Sequence, residues 1–183
     1  MSEMKVRIKK LHVKITDEMH RKLKVRAAMD GTTIEVKNTA AEGRLVLADS
    51  LTYARTLKPQ LIIDIATLTG ACIVALGDDI AGLFSTNRTL AAELQTAAAA
   101  AGEPLWELPL VEGYEKLIES DIADLKNVGK PGSAGAITAA LFIKHFAKDT
   151  PWAHLDVAGP AWAEDDHVPY QPKGATGFGV RTL

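Results

Sequence analysis

The sequence predicts an α/β fold of three layers, a mixed and mostly parallel sheet flanked by helices, preceded by a short strand–helix extension. Three observations lead there. Short apolar runs rich in β-branched residues, such as Leu61 to Ala66 (LIIDIA), alternate along the chain with stretches of helical period. Strands separated by helices imply βαβ units, whose crossovers place helices on both faces of a sheet. The first 26 residues differ in charge from the rest. Nine basic side chains stand there against Glu3, Asp17 and Glu18. That is a surplus of about +6 in a chain of net charge −2, leaving about −8 for the remainder.

The basic segment, residues 1–30, reads as a unit of its own. Leu11, Val13 and Ile15 alternate with His12 and Lys14, the period of a half-buried strand. Thr16 and Asp17 are N-cap residues for a helix running to about Ala28, with Met19, Leu23 and Ala27 on one stripe. Asp30-Gly31 ends that helix or makes a turn. A short strand followed by a basic amphipathic helix resembles the first half of a ribbon-helix-helix DNA-binding protein, over about 25 residues. The resemblance implies DNA as a partner through residues 5–26, with Lys10, His12 and Lys14 reading the groove. Pairing of two chains through the strand, or a solvated strand and helix packed on the body, are the alternatives.

The body, residues 31–183, carries the layered pattern. Arg44 to Leu57 places Leu47, Leu51, Ala54 and Leu57 on one helical stripe, closed by Pro59. Leu61 to Ala66 suits a buried parallel strand, and Ala81 to Phe84 is another strand. Thr89 to Ala101 is an alanine-rich helix, and Gly113 to Glu119 a shorter one. Ile122 to Asn127 and Trp152 to Val157 read as strands flanking a helix from Gly135 to Phe146. Hydrophobic residues at 47% and charged residues at 24% are ordinary for a globular protein. No apolar run reaches the length a spanning helix needs, so no membrane partner is expected. The charged N-terminus is no secretory signal. A single cysteine, Cys72, forms no intrachain disulfide, and a reduced cytoplasmic setting is expected.

Several separated motifs in the body carry a family resemblance. Asn38-Thr39-Ala40-Ala41-Glu42-Gly43-Arg44-Leu45 is similar to the leucyl aminopeptidase (cytosol aminopeptidase) signature, Asn-Thr-Asp-Ala-Glu-Gly-Arg-Leu. Asp64-Ile65-Ala66-Thr67-Leu68-Thr69-Gly70-Ala71 resembles the family's next strand and loop. Asp121 to Asn127, Ser133 to Leu141, Trp152 to Gly159 and Gly174 to Arg181 follow in the family's order. The resemblance implies a zinc-exopeptidase-like fold, here truncated to the C-terminal part of the catalytic domain. It implies two-metal exopeptidases, usually hexameric, that remove the N-terminal residue of a peptide.

In such enzymes paired divalent metals, zinc or manganese, polarise the scissile carbonyl and generate the attacking hydroxide. Of the family's site, Glu42 remains as a metal ligand and Arg44 as a catalytic residue. Thr67, Leu68, Thr69, Gly70 and Ala158 match the loops that bind substrate. The signature aspartate is Ala40 here, and the upstream segment that bears the other ligands is replaced by the basic piece. The expectation is therefore a chain without aminopeptidase activity of its own, with one weakly bound metal or none. Peptide as ligand and a homo-oligomer, trimer or hexamer, are what the family implies for partners.

Other constellations carry less. Gly129-Lys130-Pro131-Gly132-Ser133 lacks the Gly-Lys-Ser/Thr ending of a phosphate loop. Ser133, His154 and Asp156 could be drawn as a triad, but no nucleophile elbow surrounds Ser133. His145, His154 and His167 lack metal-ligand spacing. Asp64 and Asp156, on or beside buried strands, are expected to be structurally paired, because a buried carboxylate needs partners.

Overall fold

The computed structural model describes residues 26–28, 30–165 and 173–183. The strand and helix expected over residues 11–25, and the DNA-facing Lys10, His12 and Lys14, lie outside them. Arg26–Ala27, expected at the end of that helix, forms a strand instead, β1. It pairs antiparallel with β2, Thr33–Glu35, across a turn at Asp30-Gly31. Gly31 sits at φ +88°, and Ala28 both donates to Thr32 O and accepts from Gly31 N. The turn needs a left-handed residue, and glycine takes that conformation without a Cβ clash. Parallel to β2 on its other side lies β6, Leu125–Lys126.

The main sheet contains β3 (Ile62–Ala66), β4 (Ala81–Ser85), β5 (Leu105–Glu107) and β7 (Trp152–Asp156), in the order β3-β7-β4-β5. Two of its three pairings are parallel and one, β4 with β7, is antiparallel. The period of two sorts its side chains onto two faces. Ile62, Phe84 and Trp152 go to one core cluster, and Leu83, Ala153 and Leu155 to the other.

Helices cover both faces. On one lie α1 (Gly43–Thr56), the short α2 (Gly70–Leu76) and α4 (Gly135–Ala147). On the other, α3 (Arg88–Ala101) inserts Leu90, Ala91 and Leu94. Asn87 caps α3 by accepting from Leu90 N, and Gly102 ends it in the left-handed conformation. Helix α4 is buried nearly all round, including Phe142 and Phe146 at full burial. Each such side chain contributes about 1.5–3 kcal/mol. A small hairpin, β8 (Trp162–Ala163) with β9 (Gly174–Ala175), completes the described residues.

Four expectations need correction. Leu61 to Ala66 is an edge strand, not a fully buried one, because nothing among the described residues pairs on its far side; Ile65 is 38% exposed. Leu57 falls just beyond α1 and is exposed, while Ala48 and Leu51 carry the buried stripe. The helix expected at Gly113 to Glu119 is a 3-10 helix, Glu112–Leu117. The strand expected over Ile122 to Asn127 shrinks to Leu125–Lys126, because side chains replace ladder bonds before it. Asp124 Oδ2 accepts from Thr33 N and Oγ1, and Ser120 Oγ accepts from Ile122 N.

Candidate functional site

Two buried side chains, Asn127 and Asp156, organise the candidate residues. The signature segment leaves β2 and closes a 3-10 turn, Thr39–Ala41, capped by Asn38 Oδ1 accepting from Ala40 N at 2.9 Å. Asn127, fully buried beyond the end of β6, holds this turn from below. Its Oδ1 accepts from Lys37 N (2.9 Å) and Asn38 N (3.3 Å), and its Nδ2 donates to Asn38 O (2.6 Å). Its carbonyl accepts from Arg44 NH1 at 2.6 Å.

Glu42 starts α1 with an exposed side chain that makes no hydrogen bond or ion pair among the described residues. Ala40 beside it is exposed as well and offers only a methyl group. Arg44, two residues after Glu42, is buried, and its Nε finds no acceptor among the described residues. Burial pushes its guanidinium below the usual value, opposed by the nearby Asp156 charge.

Asp156, 1% exposed at the end of β7, pins the second half. Its Oδ1 accepts from Leu68 N (3.0 Å), Thr69 N (3.4 Å) and Ala158 N (3.2 Å), and its Oδ2 from Thr69 Oγ1 (2.7 Å). The five substrate-loop candidates, Thr67, Leu68, Thr69, Gly70 and Ala158, are thereby gathered around one carboxylate. Thr67 and Gly70 are exposed, Leu68 and Ala158 half-buried, and Thr69 buried. Thr69 also caps α2, its Oγ1 accepting from Cys72 N at 3.0 Å. Behind Ala158 opens a cleft of 550 Å³ walled by Gly159, Pro160, Trp162 and Phe178. A separate cleft of 380 Å³, lined by Glu115, Lys144, His145 and Lys148, touches none of the candidates.

The remaining groups are structural. Asp64 accepts from Trp152 Nε1 and bonds His154 Nδ1, both at 2.6 Å, across the β3–β7 pair. His154 is fully buried between the Trp152 and Phe84 rings. Ser133 is exposed on its loop and bonds neither His154 nor Asp156, so the triad does not form. Burial, then the Asp156 charge, pushes the Cys72 thiol up to about 11.

These donors do not fit a two-metal centre, which needs several hard oxygen ligands aimed at common points. Glu42 is the lone uncommitted carboxylate of the signature turn, and the oxygens of Asp156 and Asp64 are already occupied by protein donors. Among the described residues no group of three or more His, Cys, Asp or Glu is placed to hold an ion. No helix among them is long and apolar enough to cross a membrane.

Glu42, Arg44, the loops and the pairing of Asp156 are legible in the sequence. The role of Asn127 is not, because its partners lie 83–90 residues away. The motif Asp121 to Asn127 ending at an asparagine was the available signal.

Residues 12–183 match the cytosol aminopeptidase family, catalytic domain, a match that reaches into the basic segment. A probable cytosol aminopeptidase of Synechococcus sp. (strain JA-3-3Ab) is 60% identical over 156 residues, which are 85% of this chain and 30% of that protein. One from Prochlorococcus marinus (strain MIT 9211) is 56% identical over 157 residues, 85% of this chain and 31% of that protein. A solved mutant of tomato leucine aminopeptidase superposes with a TM-score of 0.79 at 52% identity, covering 84% of this chain and 29% of that one. The chain thus spans about three-tenths of the length of the relatives it matches.

Proposed function

Because the chain belongs to the cytosol aminopeptidase family, we propose that it is a metalloexopeptidase-derived domain that keeps the peptide-binding loops and, by itself, does not cleave peptides. The observation that carries the reading is Ala40 in the signature turn, which leaves Glu42 without the neighbouring carboxylate that the family's signature supplies. A methyl group offers no ligand, and one exposed carboxylate binds a divalent ion only weakly. Zinc or manganese is accordingly held at one weak site or none.

Arg44 and the loop at Thr67, Leu68, Thr69 and Gly70, with Ala158, form the remnant of a peptide site. Exposed backbone at Thr67 and Gly70 can bond an extended peptide, and the cleft behind Ala158 can take an apolar side chain. Arg44 holds its place through Asn127 and supplies positive charge beside the loop. The relatives' name, cytosol aminopeptidase, supports a cytosolic setting, and the family supports a homo-oligomer, trimeric or hexameric. The basic segment at residues 5–26 supports DNA binding by charge alone; complexes that weaken steeply with salt would support it, and none at low salt would remove it.

The test is hydrolysis of a leucine chromogenic amide with added manganese or zinc, for the chain and for Ala40→Asp. Both are expected at background, since the variant restores a single oxygen ligand pair. Turnover that copurifies with the unaltered chain and disappears in Arg44→Ala overturns the proposal.

A further inference from the structure

Among the described residues, four carboxylates and one cation line the cleft behind Ala158. Resting on the reading of the adjoining loops as a peptide site, we propose that this cleft selects peptides whose first residue carries a long cationic side chain, lysine or arginine. The cation in the wall is already engaged. Glu103, 2% exposed, accepts from Thr182 N (2.9 Å), Thr182 Oγ1 (2.6 Å) and Arg181 Nε (3.3 Å), so its charge and that of Arg181 answer each other. Asp78, Asp79 and Glu164 are exposed, and none makes a hydrogen bond or ion pair among the described residues. A concave wall of one sign raises the local concentration of the opposite charge. The rings of Trp162, 56% exposed, and half-buried Phe178 line the same cleft. Aromatic faces beside carboxylates suit an organic cation: the methylene stem packs on the rings, and the charged head gains a cation–π contact. A bare metal ion is the poorer occupant, because no group of three or more His, Cys, Asp or Glu is placed to hold one among the described residues.

The acidic wall lies within reach of the peptide loop. Ala158 N donates to Asp156 Oδ1, the oxygen that also accepts from Leu68 N and Thr69 N. Gly159, the next residue, packs against the corner at Gly77-Asp78. A Cβ there would collide with the Gly77 carbonyl and come within 3.1 Å of Asp78 Cα. Glycine at 159 is what lets the turn after β7 close on that corner. The loop carboxylate and the acidic corner are therefore touched by consecutive residues, whose Cα atoms lie about 3.8 Å apart. The four-carbon stem of lysine, or the stem and guanidinium of arginine, is longer than that step. A residue held at the loop thus brings its cationic head to Asp78 and Asp79, with Glu164 on the same cleft.

The experiment titrates the 183-residue chain by calorimetry, without added metal, with two tripeptide amides, Lys-Ala-Ala and norleucine-Ala-Ala. They share the N-terminal ammonium and the four-carbon stem and differ in the side-chain charge alone. The lysine peptide is expected to bind at least about threefold tighter at low salt, the scale of a few exposed ion pairs. The preference should shrink as ionic strength rises. In a chain carrying Asp78→Asn, Asp79→Asn and Glu164→Gln together, the lysine peptide should fall to the affinity of the norleucine peptide. These changes keep shape at exposed positions, and circular dichroism verifies the fold; should the triple variant unfold, Asp78→Asn alone decides, with a reduced preference expected. Equal affinity of the unaltered chain for the two peptides, or a preference that persists undiminished in a folded variant, overturns the charge selection and leaves the peptide site standing. Binding of neither peptide overturns both the peptide site and the selection built on it.

Discussion

At the scale of single residues, Asp156 bears more of the site than any group that resembles a catalytic one. Its carboxylate replaces water for the amides of Leu68, Thr69 and Ala158 and the hydroxyl of Thr69, all in a buried setting. Removing it leaves those donors unsatisfied. Asp156→Ala is expected to cost about 3 kcal/mol or more, read from urea unfolding. Hydrogen exchange at Leu68 and Thr69 should rise with it, and Asp156→Asn, which keeps one acceptor oxygen, should recover part of the protection. Cys72 gives a second residue-scale prediction. With its thiol raised to about 11 by burial and by Asp156, the reactive thiolate is scarce at neutral pH. A disulfide-exchange reagent should label Cys72 at the rate of unfolding in the native chain and rapidly in urea; fast native labelling would contradict the packing described.

Among elements, the outcome turned on what a local pattern can encode. The run Trp152 to Val157 was legible as a strand, and its full burial follows from neighbours on both sides. Leu61 to Ala66 has the same apolar character yet lies at the edge. Composition reports that a strand can be buried, whereas its place in the sheet depends on partners far along the chain. The helices α1, α3 and α4 are legible because helical periodicity and helix-forming composition are local. The loss of most of the strand expected near Ile122 was not, since it depends on Asp124 bonding Thr33, 91 residues away. Asn127 escaped notice for the same reason.

The tie between the end of α3 and the C-terminus belongs to this scale too. Glu103, 2% exposed, accepts from Thr182 N (2.9 Å) and Oγ1 (2.6 Å) and pairs with Arg181. Burial alone would raise its pKa, but these hydrogen bonds together hold it below the ordinary value. A depressed carboxylate contributes stability that is complete above its unfolded pKa and lost as pH falls through the folded one. Glu103→Gln is therefore expected to be less stable by about 1–3 kcal/mol at neutral pH. The difference from the parent chain should close on acidification below the ordinary glutamate value of 4.5. A constant gap across that range would contradict the assignment.

For the molecule as a whole, fold and family were legible because the motifs recur in order across the body, and each maps to a strand end or a helix start. Asn38 to Leu45 opens α1, Asp64 to Gly70 closes β3, and Trp152 to Gly159 spans β7 and its turn. These positions gather the loop at Leu68 and Thr69 with Ala158 around Asp156, and tie Arg44 to Asn127. The same framework leaves the signature turn with Glu42 and no carboxylate at position 40. Under the proposed function, the scaffold surrounds a donor set too small for two metals. Equilibrium dialysis against zinc and against manganese, with metal per chain read by elemental analysis, tests it most directly. Fewer than one ion per chain is expected at micromolar free metal, unchanged by Arg44→Ala and lowered further by Glu42→Ala. Two ions per chain, retained through gel filtration, would contradict it.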